Sequence, residues 1–446
     1  MSNQRLTALD EFPRHQTTGT FNSVASDSPN WSDGFYFTLG DQETGASLFV
    51  GMRLYSNTDV MDGFACITVD GKQYNGRWSR RLRPNIDDIR VGPLALEILE
   101  PLKRLRTTCA ANEYGISYDL EWTALHEPFL EDEIVRYSGG RKVYTRNNYD
   151  QCLDVTGTIT VGGRTLEVSP KSWVGVRDHS WGMGRTGGKN AGVAPEAGKD
   201  PRRGFAMRQW TMFKMPDRVM FWQFHQQPDG SFNQLETIVI PNDTTQEWWS
   251  YVDASVTHER IDGYPRLKES TISLTRPDGT IDRFLNTPVG WPVYLQGGGY
   301  HDGFADGLGR GVYRGEEFSD GEVWDVTHPI NVGDPAGWFV QRPDAWAEQF
   351  ATCVNLDDPA DADDLTHDLH APGHLRGGDP ACRVLRGHPG TAQHRVGADR
   401  VGDVELVRDG RRTGEGVEAL AGRLDDLGAV GELEEVGAAE ESVVFR

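Results

Sequence analysis

The chain has 446 residues, beyond the roughly 250 to 300 at which a single core stops growing, so more than one packing unit is expected. Hydrophobic residues supply 37% of it, with 52 glycines beside them, which excludes a wholly disordered chain. A formal net charge of −22 repels a nucleic-acid backbone or an anionic membrane, so neither is expected as a partner.

The N-terminus, MSNQRLTALDEF, lacks the basic start and apolar stretch of a signal peptide, and no window reaches 18 uninterrupted apolar residues. Residues 1–20 read as an extension and the protein as cytoplasmic. From there to residue 353 the chain is written in short alternating runs broken by two-residue turn signals, the pattern of an antiparallel all-β fold. Its length fits two tandem β-barrel or sandwich domains, residues 21–170 and 171–353.

Residues 65–69, Asp70-Gly71 and residues 72–74 predict a hairpin with a type I′ turn. Residues 92–105 are the one stretch compatible with a helix, although Pro93 and Pro101 oppose it. Residues 158–168 repeat the hairpin pattern around Gly162-Gly163. Residues 184–204 are rich in Gly, Pro and charge with no apolar period, and read as a lid or insertion. Residues 221–225 read as a strand, with Trp222 and Phe224 on one face and Phe221, Gln223 and His225 on the other. His225 is either a second acid/base candidate or a histidine satisfied at a strand edge. Asp229-Gly230, Asp278-Gly279 and Asp320-Gly321 predict further turns. Trp248, Trp249 and Trp291 read as packing residues. After residue 354 the composition changes: all 13 tryptophans and all 13 tyrosines lie earlier, and only Phe445 is aromatic. The segment 354–446 is expected to be mostly disordered or loosely helical. Nearly all its residues have codons that can begin with G or C, the pattern of a GC-rich gene read in a shifted frame.

Five scattered cysteines, with no CxxC pair, read as idle thiols. Gly182 to Gly187 satisfies G-x-G-x-x-G, but no helix start follows to hold a pyrophosphate. No HExxH or G-x-S-x-G occurs, so neither a cofactor nor a metal is expected.

The densest chemistry lies in Gly175-Val176-Arg177-Asp178-His179-Ser180-Trp181-Gly182. On a strand, Arg177, His179 and Trp181 share one face and Asp178 and Ser180 the other. An imidazole moves protons near neutral pH and an indole face steadies positive charge, so the pair fits acid/base work. The same residues also fit a structural cluster with Asp178 paired to an arginine and Trp181 in the core.

This GVRDHSWG string resembles the signature of the carotenoid 1,2-hydratase and AttH-like superfamily of tandem lipocalin-like β domains. Residues 30–37 resemble the opening of that family's first barrel, and Tyr149-Asp150-Gln151 precedes a matching hairpin, so the resemblance covers roughly residues 20–350. It implies a hydrophobic cavity between two β domains, lined near His179, Asp178 and Trp181. The expected activity is a cofactor-independent hydro-lyase, a hydratase or dehydratase acting on an isoprenoid-like or polycyclic molecule. His179 assisted by Asp178 would handle the proton, with Asp178 turned inward by a bulge near Gly182, and Trp181 would steady a cation. Arg177, Tyr36, Trp31, His225 and Trp222 are the substrate-binding candidates. A carrier of a hydrophobic small molecule, or a cyclase of the same superfamily, are the alternatives.

Overall fold

Runs in which every second residue is apolar become strands, and the described residues contain no α-helix. A computed structural model describes residues 23–138, 140–184, 207–226, 231–260, 267–300, 302–327 and 347–355. The extension 1–20, most of the Gly-rich insertion, Asp229-Gly230, His301, His328 and the tail beyond residue 355 lie outside the described residues.

The first half of the chain gives β1 (Trp31–Asp41), β2 (Ser47–Tyr55), β3 (Val60–Val69), β4 (Lys72–Arg81), β5 (Arg90–Val91), β6 (Leu94–Glu100), β7 (Arg104–Cys109), β8 (Ile116–Ala124), β9 (Phe129–Leu130), β10 (Ile134–Ser138), β11 (Arg141–Val161), β12 (Arg164–Val168) and β13 (Trp173–Met183). The second gives β14 (Met207–Lys214), β15 (Arg218–Gln226), β16 (Phe232–Pro241), β17 (Asp253–Arg260), β18 (Leu267–Thr275), β19 (Ile281–Tyr294), β20 (Glu317–Asp325) and β21 (Ala347–Asn355).

Fourteen strands form one sheet, whose main path runs β20-β4-β3-β2-β1-β13-β11-β8-β7-β6-β5. β14-β15-β16 and β17-β18-β19-β21 form two smaller sheets. β3 and β5 lie towards opposite ends of the main path, yet they touch: a Cβ on Gly63 would stand 2.5 Å from Val91 Cγ1 and 2.9 Å from Leu94 Cδ1. The large sheet is therefore curled into a half-barrel. Inside the curl, Phe37, Leu39, Val50, Met52, Trp122 and Val155 belong to one buried core. Because strand side chains alternate, the reverse face carries Phe49, Phe64, Cys66, Val174 and Val176, which pack with Trp210, Met212 and Phe221 of the three-stranded sheet. That sheet's other face packs Phe213, Trp222 and Phe224 with Ile272, Leu274 and Phe284 of the four-stranded sheet.

The two type I′ hairpins are present. Asp70 and Gly71 have φ of 49° and 74°, and Gly162 and Gly163 of 56° and 81°, the left-handed pair this turn requires. Three expectations are corrected. Residues 92–105 form strands β6 and β7 with a turn between them, because Leu94 and Leu96 are buried at a period of two and Leu102, with φ 64°, reverses the chain after Pro101. Asp320-Gly321 sits inside β20 and makes no turn. There the Asp320 carboxylate takes Arg77 Nε at 2.5 Å, and a Cβ on Gly321 would strike Asn75 O at 2.3 Å. Trp248 and Trp291 are 40% and 38% exposed rather than packed inside.

Candidate functional site

Three adjacent strands, β1, β13 and β11, meet in a continuous antiparallel register. It places Phe35, His179 and Tyr149 in one cross-strand row, Asp33, Trp181 and Asn147 in the next, and Phe37, Arg177 and Gln151 in the third. Residues directly opposite one another share a face, so all three rows point into the curl. Exposure rises along β1 from fully buried Phe37 to half-buried Phe35 and Trp31, so the His179 row lies where the core gives way to solvent.

His179 is held at both ring nitrogens. Its Nε2 lies 2.8 Å from Asp33 Oδ1 and its Nδ1 lies 2.9 Å from the Tyr149 hydroxyl. A carboxylate only accepts, so Nε2 donates to Asp33; in the neutral imidazole Nδ1 then accepts the Tyr149 proton. The imidazole is 21% exposed and Asp33 48%, which leaves the group reachable. Phe35 covers the ring at 4.2 Å between centroids, and Trp181 meets it edge-on at 5.9 Å. Beneath them, Arg177 lies 5.0 Å from the Tyr149 ring centroid and donates to Gln151 Oε1, at 2.9 Å from its Nε. Burial raises the Tyr149 hydroxyl above its ordinary value, against the opposing Arg177 charge.

β13 shows no register shift, so no bulge turns Asp178 inward. It stays on the reverse face opposite Tyr36 and Asp150, and the carboxylate that serves His179 is Asp33 instead. Asp178 borders a buried polar cluster centred on Glu131. Glu131 accepts from Arg146 at 2.5 Å, Asn148 at 2.6 Å, and Trp210 and Gln223 at 3.0 Å each. Burial, followed by the Glu131 charge, raises the Asp150 carboxyl and pushes Glu236 up to about 7.

Of the other candidates, Arg177 and Trp181 join His179, and Trp31 stands on the same face at the start of β1, opposite Met183. Tyr36 is buried on the reverse face. Trp222 is fully buried among the three- and four-stranded sheets. His225 lies on β15 opposite Arg208 and Gln234, and its side chain is outside the described residues. Among the described residues, no group of three or more His, Cys, Asp or Glu is placed to hold a metal ion. No described helix is long and apolar enough to cross a membrane.

Residues 6–336 match the model of a family described as a family of unknown function, DUF8625. The chain belongs to the DUF8625 family. No curated protein matches the sequence. A solved structure of a candidate AttH protein from Nitrosomonas europaea is similar over 66% of this chain and 89% of that one, at 13% identity and a TM-score of 0.42.

In this DUF8625 chain, sequence reasoning missed Asp33, Tyr149 and Phe35. A signal existed for two of them, since alternation from Trp31 puts Asp33 and Phe35 on the tryptophan's face. It also missed His126, whose Nε2 accepts the Cys152 amide at 2.9 Å and whose burial pulls it down to about 4. That histidine stays neutral and serves the backbone.

Proposed function

We propose that the protein is an acid–base enzyme of the hydro-lyase type that adds water to, or removes it from, a hydrophobic isoprenoid-like or polycyclic molecule. The observation that carries this reading is the Asp33–His179–Tyr149 chain set under the aromatic faces of Phe35 and Trp181. Hydration needs a group that gives a proton to one alkene carbon and a base that takes one from the incoming water. A relay of two proton carriers anchored by a carboxylate serves both steps. The cation between those steps needs an electron-rich face, which Trp181 and Tyr149 supply. In the reverse direction a protonated tertiary hydroxyl leaves as water and the relay takes the neighbouring proton. Arg177, over the Tyr149 ring, favours the phenolate as that proton moves. The resemblance of GVRDHSWG to the hydratase superfamily signature supports the same class.

The reaction is tested by incubating the protein with hydrophobic alkenes and tertiary alcohols in ¹⁸O-labelled water and reading the products by mass spectrometry. Label incorporation, or loss of water from an alcohol, is expected. Tightly bound but unchanged ligand would mean a carrier instead.

A further inference from the structure

The ladder between β8 and β11 begins at Ala124 and Leu153. Just before it on β11 stands Gln151, in the same cross-strand row as Arg177 and Phe37. Gln151 is fully buried and Arg177 is 2% exposed. The Gln151 Nε2 donates to Leu102 O, in the turn after β6, at 2.9 Å, and to His126 O, in the loop after β8, at 2.7 Å. The second loop is pinned in turn: His126 Nε2 accepts the Cys152 amide at 2.9 Å, and the Leu125 amide donates to Cys152 O at 3.0 Å.

A carbonyl can only accept, so the Gln151 amide has one orientation, with its nitrogen toward the two loops and its oxygen toward Arg177. The flipped amide would set an NH₂ against a guanidinium, donor against donor. Oε1 takes Arg177 Nε at 2.9 Å and Arg177 Nη2 as well. Two nitrogens on one edge fix the plane of the guanidinium, whose carbon stands 5.0 Å from the Tyr149 ring centroid. A carboxylate at position 151 would hold the same nitrogens, but it would cancel their charge and could not donate to the loop carbonyls. A neutral amide holds the guanidinium and leaves its positive charge acting on its neighbour, weakly screened at this depth. The groups acting on Tyr149 are Arg177, which favours the phenolate, Asp33 and Asp178, which oppose it, and His179, whose Nδ1 meets the hydroxyl.

We propose that Gln151 is a positioning residue, anchored on the carbonyls of Leu102 and His126, that keeps the uncancelled charge of Arg177 against Tyr149. The inference rests on the reading of Tyr149 as a proton carrier. A guanidinium free to turn away would leave the phenolate less stabilised at the moment Tyr149 gives up its proton.

Tyr149→3,5-difluorotyrosine, whose phenol loses its proton more readily than that of tyrosine, reports this charge by ¹⁹F NMR titration of the full chain. In that background Gln151→Met and Arg177→Met should each weaken the acidity of the phenol about tenfold, an upward shift of about one pH unit. The double variant should shift no further than Arg177→Met alone, because Gln151 acts through Arg177. Gln151→Asn keeps the amide but is one methylene too short to reach both sets of partners; it should shift the titration the same way, and it takes the place of Gln151→Met if that chain does not fold. A merely structural Gln151 would lower the Tm of these variants and leave the titration where it was. An unmoved titration in the Gln151 variants, or a double variant whose shift is the sum of the two single ones, would overturn the proposal. The titration needs no substrate, so its failure is distinct from failure of the hydro-lyase reading, which would show as a parent that forms no ¹⁸O-labelled product.

Discussion

At position 179 the imidazole works through neighbours that are remote in sequence: Asp33 is 146 residues away and Tyr149 is 30. Alternation along one strand reveals which residues share a face, and it separates His179 from Asp178 correctly. It cannot reveal which residue of another strand stands opposite, because register is set by packing across the sheet. Hence Arg177, His179 and Trp181 were legible as a group while the carboxylate partner was not. The geometry gives a residue-level prediction. Asp33→Asn removes the carboxylate that orients the ring and steadies its charge, and it should lower kcat by about 10²-fold or more. Asp178→Asn, on the reverse face, should cost much less. Steady-state turnover of the two variants checks this, and the opposite ranking would return the role to Asp178.

At the scale of elements, the strands and both glycine turns were readable because a period of two and paired positive φ values are local properties. The stretch 92–105 misled because its spacing fits either period, and the decision came from which side chains the curl buries. Asp320-Gly321 misled because a dipeptide with turn chemistry serves equally where a carboxylate must reach an arginine and a strand must pass close to a backbone oxygen. Between the large and three-stranded sheets, Glu131 was silent in the sequence, since nothing local marks a buried carboxylate with four donors. Its charge has a consequence at Glu236, which burial and Glu131 push from 4.5 up to about 7. The native state therefore keeps a proton there that the unfolded chain has released. Stability from this group is fully present below about pH 4.5 and is lost as pH rises through about 7, with a slope of at most about 1.4 kcal/mol per pH unit. Urea unfolding midpoints at several pH values should show a shallower decline for Glu236→Gln than for the parent across that window. Identical pH slopes would contradict the assignment.

At the scale of the molecule, three sheets are joined by two apolar layers, and a further core fills the curl of the largest. The class was legible from composition and turn spacing. The long-range joins were not: β13 is inserted between β1 and β11, and β20 pairs with β4. β21 closes the four-stranded sheet by pairing along β19. Truncation after residue 346 should therefore leave β19 with a bare edge, lower the Tm relative to truncation after residue 355, and promote association seen by light scattering. Equal Tm values and equal scattering would mean that β21 adds nothing to that sheet.

Proton movement through Asp33, His179 and Tyr149 is checked by comparing product formation in ¹⁸O-labelled water by the parent and by His179→Ala, with thermal unfolding run on both. The parent should be active, and the variant should keep its Tm while losing about 10²- to 10⁴-fold in turnover. A folded His179→Ala variant that turns over substrate as fast as the parent would contradict it.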